Sequence, residues 1–296
     1  MTAPAVRAVR VTVPGSTANL GSGFDALGMA LGVHDELEFA VTGGGLAVEV
    51  SGEGAADVPT DERHLVVRAF RAACELVGLD VPGLRLTCRN SIPHARGLGS
   101  SAAAVVAGVA AGFALAGRGT DTSALQLAAE FEGHADNAAA AMLGGVVIAW
   151  TRGDRYRAVR VDPHPGVSPV VLVPSEESST HTTRGLLPSK VPHEDAAFAA
   201  GRSALAVHAL AADPSLLPEA LDDRLHEPYR EPAWPATTRL VRALREAGVA
   251  AAVSGAGPTV LALPPDGVLP PGVDLAGFEA RRVPVDLAGV RVAPLG

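Results

Sequence analysis

Four short segments of this chain gather residues that could do chemistry. The first is Pro93–Ala103, PHARGLGSSAA, which merges into the small-residue run AAAVVAGVAAGFALA. Gly97 and Gly99 free the backbone, Ser100 and Ser101 add hydroxyls, and the helix predicted to follow aims unpaired N–H groups and the positive end of its dipole at one point. Anions, above all phosphates, bind at such points. The second is Pro14–Leu31, PGSTANLGSGFDALGMAL, where a strand is expected to end in a loop carrying Asn19 and Asp25. A loop flanked by Gly-Ser-Gly is costly to order without a ligand or a packing reason. The third is Glu130–Gly145, EFEGHADNAAAAMLGG, with Glu130, Glu132, His134, Asp136 and Asn137 held between apolar stretches. Acids beside a histidine suggest metal ligation, or Mg²⁺ held together with phosphate. The fourth is the glycine-rich turn Ser254–Val260, SGAGPTV. Two arginines stand in segments that offer few other reasons for them: Arg184 in STHTTRGLLP and Arg230 in HEPYREP. A guanidinium fork suits a carboxylate or a phosphate. Taken singly, each feature has an ordinary reading as well: a solvated aspartate, a satisfied histidine at a helix end, a structural turn, a surface arginine.

Composition removes several classes of function. Lys190 is the only lysine among 296 residues. A Walker A loop needs a lysine directly after its last glycine, and a protein kinase needs one on an early strand. Phosphate chemistry here must rely on backbone N–H groups, hydroxyls, arginines and metal. The net charge of −8 argues against nucleic-acid or anionic-membrane partners, and aromatics are scarce at 4%. GLGSSA also fits the dinucleotide fingerprint G-x-G-x-x-A. That reading is disfavoured, because several non-apolar residues separate the glycines from the preceding strand and Asp121 reads as a helix cap rather than a ribose ligand. Cys74 and Cys88 sit in apolar runs and read as buried thiols of a reducing, cytoplasmic compartment. The N-terminal residues contain no apolar signal core. The uncharged run Gly97–Gly117 is built from Ala, Gly and Ser, which suits a helix packed closely on a sheet better than a membrane span.

The elements that must position these segments can be read from periodicity. Strands are predicted at Val6–Val13, Val33–Val41, Leu46–Ser51, Leu84–Arg89, Gly145–Thr151 and Arg155–Val161. Helices are predicted over Arg63–Val77, capped by Thr60 or Asp61, from the GLGSS loop onward, and over Thr122–Phe131, capped by Thr120 or Asp121. After DPHPG (Asp162–Gly166), a plausible boundary, come strands at Val167–Val173, Val249–Val253, Thr259–Leu263 and Val290–Ala293, and helices near Glu194–Ala212 and Ala236–Ala247. The expectation is an α+β chain with helices over mostly antiparallel sheets, divided into residues 1–161 and 162–296.

In this order, PGSTANLGSGFD, PHARGLGSSAA, EGHADN and SGAGPTV resemble the GHMP kinase superfamily from about Val9 to Leu263. TANLGSGFDALG, THTTRGLLP and HEPYR are similar to segments of the homoserine kinases within it. The resemblance implies a two-domain fold, the N-terminal part like ribosomal protein S5 domain 2 and the C-terminal part ferredoxin-like. It implies transfer of the γ-phosphoryl of ATP to the side-chain hydroxyl of L-homoserine, giving O-phosphohomoserine for threonine synthesis. ATP would be wrapped by Pro93, His94, Ala95, Arg96, Gly97, Leu98, Gly99, Ser100, Ser101, Ala102 and Ala103. Mg²⁺ would be bridged by Ser101 and by Glu132, with Glu130 the alternative acid. Asp25 would meet the α-ammonium, Arg184 and Arg230 the α-carboxylate, and Asn19, His134 and Asn137 the hydroxyl end, with the main chain of Gly255 closing the site. Ser101, Glu132, Asn19 and Asn137 would thus be the catalytic group, without a dedicated base, although Asp136 is the one carboxylate placed to act as one. Other GHMP kinases acting on mevalonate, shikimate or a sugar, or a non-catalytic nucleotide-binding relative, are the alternatives, and a homodimer is left open.

Overall fold

The structure, a computed structural model, describes residues 2–175 and 185–295. Its strands are β1 (Ala8–Ala18), β2 (Leu27–Thr42), β3 (Gly45–Gly52), β4 (Gly83–Asn90), β5 (Val146–Arg152), β6 (Arg155–Val161), β7 (Val170–Pro174), β8 (Ala250–Val253), β9 (Val260–Leu263), β10 (Phe278–Arg282) and β11 (Arg291–Pro294). They form two sheets. The first runs β11-β1-β2-β4-β3, with β5 paired to the start of β2 and to β6; the second runs β10-β7-β9-β8. Among the described residues β3 and β4 pair in parallel and the other strand pairs are antiparallel, as the α+β expectation requires.

Four helices serve the first sheet: α1 (Leu65–Val77), α2 (Ser100–Leu115), α3 (Thr122–Glu132) and α4 (Asp136–Leu143). α2 and α4 lie on β1 and β2, and α1 packs along α2. The small residues of α2 make that approach possible. A Cβ at Gly108 would come within 2.5 Å of the Val66 carbonyl oxygen, and one at Gly112 within 2.7 Å of the Ala73 side chain. The alanine-rich run is therefore a helix buried between neighbours, and among the described residues no helix is long and apolar enough to cross a membrane. Among the described residues four more α-helices follow: α5 (His193–Ala211), α6 (Leu217–Ala220), α7 (Glu227–Arg230) and α8 (Pro235–Glu246). Leu240, Val241 and Leu244 of α8 pack on Val170, Leu172, Val260 and Ala262 of the second sheet. The main core cluster reaches across both sheets, joining Val171, Leu210 and Leu261 to Phe39, Phe70 and Phe113.

Several boundaries differ from the sequence reading, some of them at the chemistry-bearing segments. β1 continues through Pro14 to Ala18 instead of ending near Val13, because its register with β2 shifts between Pro14 and Gly15. Such a bulge absorbs a proline that cannot donate to the ladder. β2 begins at Leu27, six residues before the predicted start. Leu27–Leu31 is buried on both faces, so it shows no alternation, and a Cβ at Gly28 would come within 2.6 Å of the Asp136 carbonyl oxygen. α1 starts at Leu65 without a side-chain cap; Asp61 instead accepts from the Arg63 amide at 2.9 Å in the preceding turn. Asp121 does cap α3, accepting from the amides of Ser123 and Ala124. Helix α4 and strand β10 were not foreseen.

Candidate active site

Four connections and one short helix converge on one cleft of about 410 Å³: the β1–β2 turn, the β4–α2 loop, the α3–α4 junction, the β8–β9 turn and helix α7. Their backbones are tied directly to one another. Ser254 donates its hydroxyl to the Gly97 carbonyl (2.5 Å) and so accepts from the Thr17 hydroxyl (2.8 Å). The Gly255 amide donates to the Ala18 carbonyl, and the Ser16 amide to that of Leu98. Gly97, at φ +77°, has no room for a side chain, since a Cβ would lie 2.5 Å from the Ser254 carbonyl oxygen. The first two glycine-rich motifs and the fourth are thus parts of one assembled wall.

The β4–α2 loop ends at Gly99, which caps α2 in a left-handed conformation (φ +68°) with no side-chain cap. The first-turn amides of a helix have no intrahelical acceptor, so this N-terminus presents backbone donors to the cleft. Leu98, Ala102 and Ala103 are buried in the core, so any part they play there is through the backbone. At the mouth, Ser101 Oγ lies 2.8 and 2.7 Å from the two carboxylate oxygens of Glu132. Burial pushes the Glu132 carboxyl above its ordinary value, and the Ser101 bond offsets this only in part. Glu130 accepts instead from Gln126 on an exposed surface. Among the described residues no group of three or more His, Cys, Asp or Glu could hold a metal by itself.

The α3–α4 junction places His134, Asp136 and Asn137. Asp136 is 1% exposed, and its Oδ1 accepts from His134 Nδ1 and from the Asn137 amide, both at 2.7 Å. Burial disfavours charge on His134, but the hydrogen bond to Asp136 and the nearby charges of Asp136, Asp25 and Glu132 outweigh it, and its pKa is raised. The Ser16 hydroxyl donates to Asn137 Oδ1 at 3.0 Å and sets the side-chain amide's orientation.

On the opposite side, Asn19 donates to the Gly255 carbonyl (2.8 Å) and accepts from the Asp25 amide (3.1 Å). Asn19 and Asp25 both adopt left-handed backbone, at φ +72° and +54°. Short polar side chains tolerate that region, which recurs at functional sites. Arg230 Nη1 donates to the same Gly255 carbonyl at 2.8 Å. Arg184 lies outside the described residues.

A second cavity of about 340 Å³ adjoins the first, sharing Ala95, Ser100 and Ser101 with it. Its walls are mainly apolar, from Val58, Pro59, Leu65 and Val66, with His64, His94 and Asn90 adding polar groups. Sequence reasoning missed this cavity, whose walls come from separate stretches with no motif. It also missed Ser16, Phe24, His226 and Ser254, whose contacts join residues up to 237 positions apart.

Known proteins resemble this chain over its whole length. The family models of the GHMP kinases' N terminal domain and C terminal domain match residues 64–145 and 206–269. A homoserine kinase of Streptomyces avermitilis is 48% identical over 303 residues, covering 100% of this chain and 99% of the relative. One of Rhodococcus erythropolis is 52% identical over 308 residues, covering 100% and 95%. The crystal structure of homoserine kinase from Cytophaga hutchinsonii superposes with a TM-score of 0.85 at 26% identity, covering 97% of this chain and 98% of that one.

Proposed function

This chain belongs to the homoserine kinases of the GHMP kinase superfamily, and we propose from that membership and from its cleft how it moves the γ-phosphoryl group of ATP onto the side-chain hydroxyl of L-homoserine. The observation that carries the reading is the cleft's polarity of design. An uncapped helix N-terminus with Ser101 and Glu132 stands at one side, and Asp25, Asn19 and Arg230 stand at the other. The first half suits a polyphosphate and the second a small zwitterion.

The amides of Gly97–Ala102 and the α2 N-terminus hold the triphosphate. The adjoining apolar cavity by His64 and Asn90 receives the nucleoside, since it opens beside the same loop. A divalent cation fits the Ser101–Glu132 corner, because both donors are hard oxygens and Mg²⁺ is commonly held by one or two carboxylates together with phosphates. When bound, it neutralises charge on the transferring phosphoryl group.

Asp25 takes the α-ammonium of homoserine, and Arg230, with Arg184, takes the α-carboxylate. Asn19, His134 and Asn137 orient the hydroxyl, and Gly255 closes the floor. Phosphoryl transfer passes through a loose transition state, so positioning supplies most of the catalysis and no strong base is required. Asp136 fits a supporting role, because it is buried and engaged with His134 and the Asn137 amide. The division at residues 161 and 162 and a cytoplasmic location belong to the same reading. The test is a coupled ADP-release assay with ATP and Mg²⁺ and L-homoserine, mevalonate or L-serine as acceptor. Turnover is expected with L-homoserine; comparable turnover with mevalonate, or none with homoserine, overturns the reading.

A further inference from the structure

Helix α7 is only one turn long, yet it delivers Arg230 to the cleft with its guanidinium held in place. The residue responsible is His226, fully buried one turn earlier. Its Nδ1 lies 3.0 Å from Arg230 Nη1 and its Nε2 lies 2.9 Å from the Gly21 carbonyl oxygen. A guanidinium can only donate and a carbonyl can only accept. The two contacts therefore define one tautomer, with Nδ1 accepting from Arg230 and the Nε2 proton donated to Gly21. Together with the Gly255 carbonyl, His226 directs both protons of Nη1 at protein acceptors and fixes the guanidinium plane. The ring also stacks on Phe24 at 5.4 Å, next to Asp25 in sequence. Gly21 leaves no slack, because a Cβ there would lie 2.3 Å from the Leu221 carbonyl oxygen. Asp223 holds the helix start, its carboxylate accepting from the amides of Leu225, His226 and Glu227.

We infer that His226 is a positioning residue that sets Arg230 for the substrate's α-carboxylate and ties it to the turn carrying Asp25, so that carboxylate and ammonium recognition form one assembled unit. This rests on the assignment of Arg230 to the carboxylate. A bidentate pair depends on the angle of the fork as well as on its charge. Loss of the Nδ1 acceptor therefore degrades discrimination for the carboxylate while leaving the nucleotide side intact.

The experiment compares kcat/KM for L-homoserine and for 3-amino-1-propanol, which is homoserine without its carboxylate. It uses the full chain carrying His226→Gln, His226→Asn or Arg230→Leu, with KM for ATP and the thermal midpoint measured alongside. Gln can keep the donor to Gly21 but lacks the Nδ1 acceptor; Asn can place an amide oxygen near the Nδ1 position. The homoserine preference is expected to fall about tenfold or more in His226→Gln, through KM rather than kcat, with KM for ATP unchanged. His226→Asn is expected to restore most of it. An unchanged preference in His226→Gln beside a lowered one in Arg230→Leu overturns the inference and leaves the reading of Arg230 standing. An unchanged preference in Arg230→Leu overturns that reading itself. If His226→Gln does not fold, His226→Asn decides: its preference must stay well above that of Arg230→Leu, and equality between the two overturns the inference.

Discussion

Glu132 answers two opposed demands. Its carboxylate sits where burial disfavours charge, raising its pKa above the ordinary 4.5, and its proposed role needs that charge. For an acid whose folded pKa is raised, ionisation costs folding stability once the pH exceeds the unfolded value. Glu132→Gln, which still accepts from Ser101, is therefore expected to raise the thermal midpoint at neutral pH. The gain should fade as the pH falls below about 4.5, where wild type is protonated in both states. The same variant should lose about 10²–10³-fold in kcat, the loss typical of removing one preorganised electrostatic partner. Thermal melts over a pH series and steady-state kinetics check the two halves separately. Asp136→Asn should retain most turnover; a loss of about 10³-fold or more would instead mark Asp136 as a general base.

At the scale of elements, the site is made by turns and helix ends, where strands and helices meet. The β4–α2 loop is held to the β8–β9 turn because Gly97 has no Cβ, so Gly97→Ala must push the two apart or abandon its left-handed backbone. Steady-state assays should show a KM for ATP raised by about tenfold or more, with a smaller change for homoserine, since an ångström of misplacement can cost about 10²-fold. The entry to the loop is fixed too. The buried Asp35 carboxylate on β2 accepts from the amides of Ser91 and Ile92, at 2.7 and 2.9 Å, where the chain leaves β4. Helix α2 was legible as a buried small-residue helix, because Ala and Gly without charge leave few other places for it. Helix α4 was not, because DNAAAAML has no amphipathic contrast and its meaning lies in the close approach to Gly28.

At the scale of the molecule, the last strand returns from beyond the second sheet to pair with β1, and its register runs Val9–Pro294 to Thr12–Arg291. Asp286 fastens this return. It contacts His34 (2.6 Å) and Arg291 (3.1 Å) and accepts from the amides of Ala288 and Gly289. Burial alone would raise its carboxyl, but His34, Gly289, Arg291 and Ala288 outweigh it and hold it below 3.8. An acid with a lowered folded pKa contributes stability that is present above the unfolded value and lost as the pH falls through the folded one. Asp286→Asn should thus be less stable than wild type at neutral pH, by denaturant unfolding. The difference should shrink as the pH falls below about 3.8.

Residue types and their local order set the chemistry on offer. GLGSSA before an alanine-rich helix predicts a helix start with unpaired amides from local backbone preferences, and a chain whose one lysine, Lys190, follows a serine rather than a glycine has no Walker A loop. The sequence also marked Ser101, the two candidate acids, His134, Asn19, Asp25 and Arg230 as residue types worth placing. Which of them meet follows from the packing of the two sheets and their helices. Glu132 rather than Glu130 faces Ser101 because one lies on the cleft side of α3 and the other on its exposed side. His226, Ser254 and Ser16 acquire their significance from partners on distant segments. Local sequence sets propensity and side-chain chemistry, whereas a hydrogen bond between residues two hundred positions apart exists only once the packing of both sheets has brought them within 3 Å.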